Sequence, residues 1–262
     1  MVRGLYTAWT GMVNEQKRLD VISNNMANSD TTGYKKQGVT SQSFDDELTL
    51  RIHTDNEYSG FHHSIGYMNL GVKIGETYHD FSQGSLRETG NTYDLALSGE
   101  GFFTIQFTNK QGETSTKYTR DGSFTVNTEG YLVTKDGDFV LDSNGETIQI
   151  PGAYTAKEVA IDSKGNVIVD GNNIATLGIA RFENPQALLL YGENMYDATD
   201  AAGLQADTTT IVHQGYLEMS NTNVIKEMVD MITITRAYEA GQKMIQTVDD
   251  TLSKAANDIG KV

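Results

Sequence analysis

Apolar residues at alternating three- and four-residue steps stand at both ends of this chain, with a β-like texture between them. From Val2 to Asn28 they fall at Leu5, Ala8, Met12, Leu19, Ile22 and Met26, with Glu15 in the one skipped slot. From Asn223 to about Ile259 they fall at Val224, Met228, Met231, Thr235, Tyr238, Ile245, Val248, Leu252, Ala255 and Ile259. Heptad spacing lays one apolar stripe along a helix. A lone helix cannot bury such a stripe. Each therefore needs a partner, either the other terminal helix or a helix of a neighbouring chain. The second helix would be about 55 Å long at ~1.5 Å per residue, against a globular mean of ~11–12 residues. Its spacing loses phase by one three-residue step near Ile245, which predicts local overwinding. Gly241 lies in that stretch. A mid-helix Gly costs about 1 kcal/mol relative to Ala, so the position is either a hinge or close contact that a methyl group would impair, or, as expected here, part of a continuous helix that tolerates Gly241→Ala.

The limits of these helices are written locally. Asn28, Ser29, Asp30 and Gly33 accept the turn and left-handed conformations that stop a helix. Ser220, Asn221, Thr222 and Asn223 offer several caps for the start of the second. Between them, glycine turn pairs recur at Asp121-Gly122, Glu129-Gly130, Asp136-Gly137, Asn144-Gly145, Lys164-Gly165 and Asp170-Gly171. Short β-branched and aromatic runs separate them, such as Phe124-Thr125-Val126, Phe139-Val140-Leu141 and Val167-Ile168-Val169. Asp-Gly and Asn-Gly supply the positive φ of hairpin turns, so this stretch predicts a meander of antiparallel strands. Asn184 to Leu190 reads as a turn or short helix, and His53 to Ser64 as an irregular polar loop. The expected fold is α+β: long N- and C-terminal helices forming a coiled-coil region around a central antiparallel β-rich body. The expected division is 1–35 helical, 36–214 β-rich and 215–262 helical, with the body able to fold alone.

Charge and composition exclude several classes. Lys plus Arg is 20 and Asp plus Glu is 35, a net charge of -15. That argues against nucleic-acid binding and against a polybasic membrane surface. The chain has no cysteine, which removes disulfides, thiolate metal sites and Cys nucleophiles. No apolar run approaches the ~18 residues of a membrane helix. The N-terminal stretch, broken by Thr7, Thr10 and Asn14, does not read as a cleaved signal peptide.

Candidate chemistry has simpler explanations. Gly99-x-Gly101 is followed by strand-like Phe102 to Phe107 rather than a helix, so it reads as a turn and not a phosphate loop. His53, His62 and His63, near Asp55 and Glu57, read as solvated, because adjacent residues of an extended loop point apart. Asp142-x-Asn144-Gly145-Glu146 lacks the calcium-loop spacing and reads as a hairpin turn. Met228, Met231 and Met244 read as adaptable packing. No catalytic, cofactor or metal constellation stands out, so no enzyme and no cofactor are expected.

The junctions carry a resemblance. Asn24-Asn25-Met26-Ala27-Asn28-Ser29-Asp30-Thr31-Thr32-Gly33-Tyr34-Lys35 resembles the N-N-x-A-N-x-x-T-x-G-[FY]-K signature of bacterial flagellar rod and hook proteins. Gly99-Glu100-Gly101-Phe102-Phe103 and Tyr118-Thr119-Arg120-Asp121-Gly122-Ser123-Phe124 resemble that family's G-x-G-F-F and Y-T-R-x-G-x-F. Gln214-Gly215-Tyr216-Leu217-Glu218-Met219-Ser220-Asn221 and Arg236-Ala237-Tyr238-Glu239-Ala240 resemble Q-G-x-L-E-x-S-N and R-A-Y-E-A. Gly241 stands where the family commonly has Asn, and Arg51 to Asn69 matches no pattern of the family. The resemblance implies a structural subunit of the rod, polymerising into a helical tube that transmits torque to hook and filament. It implies partners among rod and hook subunits and further copies of this chain. It also implies export by the flagellar type III apparatus, without a cleaved signal, to the basal body. The expected contacts are the two stripes and the junction Ala27, Asn28, Thr31, Gly33, Tyr34 and Lys35. There Gly33 would end the helix, and Tyr34 with Lys35 would anchor on a neighbour. The alternative is a secreted β-rich adhesin, carbohydrate-binding, on a coiled-coil stalk. That reading needs aromatic platforms, and Trp9, the sole Trp, lies in the N-terminal helix.

Overall fold

A computed structural model describes residues 2–51, 63–110, 112–151, 159–192, 194–206 and 209–259. The protein is α+β: a helix at each end and a β-rich body between. It divides into two compact units, each built from separated stretches of chain. One comprises 1–26, 37–78 and 224–262, and the other 27–36 and 79–223.

In the first unit, α1 runs Val2–Ala27 and α2 runs Val224–Lys254, followed by a π-helical turn at Ala255–Ile259. Strand Gln37–Ser43 pairs with Val72–His79, and Glu47–Arg51 pairs antiparallel with His63–Met68. His63 and Ser64, the last two residues of the expected irregular loop, are therefore the start of a strand. The candidate ligands His53, Asp55, Glu57 and His62 lie outside the described residues. So does the side chain of His63.

The second unit is organised around the hairpin Phe102–Thr108 and Thr114–Thr119. Adjacent residues of a strand point to opposite faces, and Phe102 and Phe103 use both. Phe103 joins Leu95, Leu97, Ile105, Phe124, Leu132, Val140, Ile148 and Val167 in one apolar core. Phe102 joins Tyr118, Ala180, Phe182, Leu188 and Tyr196 in a second. Strands Thr125–Val126, Leu132–Val133 and Phe139–Val140 form the expected meander. Val159–Ile161, Asn166–Val169 and Asn172–Thr176 form a second small antiparallel sheet.

Five of the six turn glycines carry positive φ: Gly130, Gly137, Gly145, Gly165 and Gly171. Gly122 does not. A Cβ there would run into the carbonyl oxygen of Leu95, so the residue serves a close backbone approach rather than a hairpin. Asp142 accepts from the amides of Asn144 and Glu146, both at 2.8 Å, which makes the faint calcium-like motif a self-closed turn. Pro185–Ala187 is a 3-10 turn leading into strand Leu189–Gly192.

Candidate assembly interface

In the first unit the two terminal helices lie against each other. Asn25 Nδ2 donates to Glu227 Oε2 at 3.4 Å, joining the end of α1 to the start of α2. A Cβ on Gly241 would stand 2.7 Å from Met12 Cγ, so the helices also meet thirteen residues earlier in α1 and fourteen later in α2. The pair is antiparallel. Leu5, Ala8, Met12, Leu19, Ile22 and Met26 are half-buried on α1, as are Val224, Met231, Tyr238, Ile245 and Val248 on α2. The side chain of Ile259 lies outside the described residues.

The inward row of α2 differs from the expected apolar spacing in three positions, with Glu227 in place of Met228, Ile234 in place of Thr235 and Gly241 in the skipped slot, and the expected stripe residue Leu252 is exposed. It runs Val224, Glu227, Met231, Ile234, Tyr238, Gly241, Ile245 and Val248, an unbroken alternation of three and four. The expected phase break near Ile245 is absent. It arose because the expected row followed Met228 and Thr235, one residue beyond the buried Glu227 and Ile234, and left the inward place of Gly241 empty. Met228 sits on the other side of the helix and is exposed. With Ile225, Val229 and Ile232 it forms a second apolar face, its members between 49% and 76% exposed. Tyr6, Trp9 and Val13 form an exposed apolar row on α1, with Tyr6 and Trp9 rings 5.7 Å apart.

α1 has a third, polar contact face. Thr10, Asn14 and Asn25 are buried. Asn14 Nδ2 donates to Ser41 Oγ at 3.1 Å, and a Cβ on Gly71 would collide with Thr10 Oγ1. Asn25 brackets Gln37: its Nδ2 donates to the carbonyl at 2.8 Å and its Oδ1 accepts from the amide at 2.9 Å.

The second unit gathers the junction motifs into one buried node. α1 ends at Ala27, six residues before Gly33. Ala27 is exposed, and Thr31 Oγ1 donates to Asn28 Oδ1 at 3.1 Å inside the turn. Gly33, at φ +69, does not end the helix. Its backbone passes so close to Arg120 and Asp121 that any Cβ would overlap them, and its amide donates to the Glu218 carbonyl at 2.8 Å. Tyr34 and Lys35 are buried in their own chain rather than presented to a neighbour. Lys35 Nζ lies 2.6 Å from Glu218 Oε1 and donates to the Ser82 carbonyl at 2.9 Å. Arg120 Nη1 lies 3.1 Å from Glu218 Oε2, and its guanidinium stacks over the Phe102 ring at 5.0 Å. Arg120 Nη2 donates to the Gly99 carbonyl at 2.6 Å, and the Gly84 amide to Glu218 Oε1 at 2.9 Å. The Lys35, Arg120 and Glu218 side chains are 1%, 2% and 1% exposed. Burial pulls the Lys35 ammonium below the usual lysine value, and Glu218 pulls the other way. Asn221 completes the node, accepting from the Lys36 amide at 2.8 Å and donating to the Asp80 carbonyl at 2.7 Å.

A cleft of about 1,010 Å³ opens on the same unit. Its described lining is mostly hydroxyl, amide and small groups, including Thr104, Thr116, Ser163, Asn166 and Thr176. Tyr118, the one aromatic among the described lining residues, is buried.

Three family models match the chain. Residues 5–35 match "Flagella basal body rod protein", 96–169 match "Flagellar hook protein FlgE/F/G D1 domain", and 213–258 match "Flagellar basal body rod FlgEFG protein C-terminal". Each segment contributes one member of the buried node: Lys35, Arg120 and Glu218 in turn. The chain is 34% identical to the flagellar basal-body rod protein FlgG of Borreliella burgdorferi, over 98% of both chains. It is 35% identical to FlgG of Bacillus subtilis, over 98% of this chain and 99% of that one. Against the rod protein FlgF of Caulobacter vibrioides it is 32% identical over the full length of both. Similarity of this degree over nearly the whole chain places it in the flagellar basal-body rod protein family.

Proposed function

We propose that this chain is a structural subunit of the flagellar rod, polymerising with copies of itself and with other rod and hook subunits into a helical tube that carries torque. The observation that carries the reading is the apolar surface left over on the terminal helices. α1 and α2 turn one apolar row toward each other and still expose Tyr6, Trp9 and Val13 on one and Ile225, Met228, Val229 and Ile232 on the other. Contiguous exposed apolar patches of this kind mark sites of association. Different patches meeting head to tail give open helical assemblies where the rotation between subunits does not close into a ring. In the assembled rod the helices of neighbouring subunits would pack as coiled coils. The predicted contact residues are the inward stripes together with these outward patches. The N-terminal helix is bonded into the first unit through Asn14 and Asn25. Export by the flagellar type III apparatus belongs to the same proposal and rests on membership of the rod protein family.

The test is Ile225→Asp with Ile232→Asp in a strain lacking the native gene. Both positions are exposed, so the folding cost is within about 0.5 kcal/mol each. The variant should be exported and folded yet give no swimming and no complete rod in basal-body images. Normal swimming would refute the reading of this face as a subunit contact.

A further inference from the structure

Each terminal helix is apolar on its outward face over its first turns only. On α1 that face runs Tyr6, Trp9 and Val13, then turns polar at Gln16, Asp20 and Asn24, all of them exposed. On α2 it runs Ile225, Met228, Val229 and Ile232, then Arg236, Glu239, Lys243 and Gln246, also exposed. The two apolar rows, 6–13 and 225–232, have the same length, about 10.5 Å at ~1.5 Å per residue. Because the helices are antiparallel, the rows lie at different ends of the pair. The contact of Asn25 with Glu227 and the approach of Met12 to Gly241 set Tyr6–Val13 level with Glu239–Gln246, and Ile225–Ile232 level with Asp20–Ala27. Within one copy the centres of the rows are therefore about 22 Å apart along the pair at ~1.5 Å per residue. Each faces outward beside a polar stretch of the other helix.

We infer that the row Tyr6, Trp9 and Val13 of one copy packs on the row Ile225, Met228, Val229 and Ile232 of the next, the second copy being displaced by about 22 Å along the helix pair. The inference rests on the reading of the chain as a rod subunit, and it assigns the partner of each exposed row. Copies related by a screw all point the same way, so a patch does not meet its own image as it does across a two-fold axis. Each apolar row then needs a different one, and these are the two contiguous exposed apolar rows among the described residues of the terminal helices. They match in length. They also run antiparallel between copies that point the same way, as they do within one copy. Two aromatic rings 5.7 Å apart, set against a methionine and three β-branched side chains, supply the aromatic anchors that carry most interface energy. The alignment puts Trp9 against Val229, Tyr6 against Ile232 and Val13 against Ile225.

The chain contains no cysteine, so introduced pairs report this contact alone. Within a copy Trp9 and Val229 are separated by about 22 Å along the pair, beyond a disulfide, whose Cα atoms lie ~4.4–6.8 Å apart. Trp9→Cys with Val229→Cys is expressed in a strain lacking the native gene, and isolated basal bodies are oxidised. The expected result is a ladder of products at multiples of the chain mass, with monomer only from either substitution alone. Where Trp9→Cys itself stops assembly, Tyr6→Cys with Ile232→Cys reads the same alignment. No ladder from basal bodies that contain the doubly substituted chain overturns the proposal and leaves the rod reading standing. Dimers from a single substitution overturn it too, because like rows would then meet. Absence of the unaltered chain from basal bodies overturns both readings. Charge exchange gives a readout free of cysteine. Val13→Glu and Ile225→Lys should each abolish swimming, and the two together should restore it, because the opposite charges then face each other across the contact. A double variant as immotile as the single ones overturns the pairing.

Discussion

Glu218 is a carboxylate with 1% of its side chain exposed, and taking such a group from water costs several kcal/mol. Two cations and a backbone amide answer it: Lys35, Arg120 and Gly84. The three charges come from positions 85 and 98 residues apart in sequence. Removing the shared acceptor strands two buried cations, whereas removing one cation leaves a balanced pair. Glu218→Leu should therefore destabilise by about 3–5 kcal/mol, measured by urea unfolding, and Lys35→Met by clearly less. Equal losses would show that Arg120 alone does not neutralise the site. His79 is a second residue whose burial matters. Its ring packs against Phe81 and Tyr196, and its Nδ1 has no hydrogen-bond partner among the described residues. Burial pulls its pKa below 6.5, against the pull of a hydrogen bond with the Lys35 backbone. A depressed folded value means that stability is full above about pH 6.5 and is lost as pH falls below it. Asp80, held below 3.8 by hydrogen bonds from Ser82, adds a loss only at much lower pH. The melting temperature should fall between pH 7 and pH 5, and His79→Leu should flatten that slope. A slope unchanged by the substitution assigns the loss to other groups.

At the scale of elements, both helices and the meander were legible because their signals are local: heptad spacing, cap residues and glycine pairs. What stayed hidden was polar. Thr10, Asn14 and Asn25 form a buried face on α1, and Glu227 and Gly241 occupy inward places on α2. Pattern reading assigns such residues to solvent or treats them as weak helix formers. Gly241 makes the point quantitatively. Helix propensity favours Gly241→Ala by about 1 kcal/mol, which was the sequence expectation. The new methyl would stand 2.7 Å from Met12 Cγ, where something must move. Overpacking of this kind costs about 1–3 kcal/mol. The net effect should be a loss of up to about 2 kcal/mol, relieved in part by Met12→Ala in the same chain. A double-mutant cycle reads the coupling between the two sites. Additive effects would mean that the helices do not touch at Gly241.

At the scale of the whole molecule, the chain enters the second unit twice, at 27–36 and at 79–223. Local signals cannot reveal this, because nothing in Gly33 or Lys35 announces a partner at Glu218. The buried node was legible only as family motifs at the junctions, without its geometry. The consequence concerns which fragments can fold. A fragment of residues 40–214, the stretch that reads as a self-contained β body, contains both apolar cores but omits Lys35 and Glu218. Arg120 would remain at its buried place over Phe102 with the carboxylate gone. A buried charge stripped of its partner costs about 3–5 kcal/mol. That is a large part of the ~5–15 kcal/mol stability of a typical domain. A fragment of residues 27–223 keeps Gly33, Lys35, Arg120, Glu218 and Asn221 together and should melt cooperatively, with β circular dichroism. The shorter fragment should melt well below it or fail to fold. Adding Arg120→Met to the shorter fragment should recover part of the difference, because it removes the orphaned charge. Equal melting temperatures for the two unmodified fragments would show that the apolar cores suffice. The ion node would then serve geometry at the junction and not the stability of the β-rich unit.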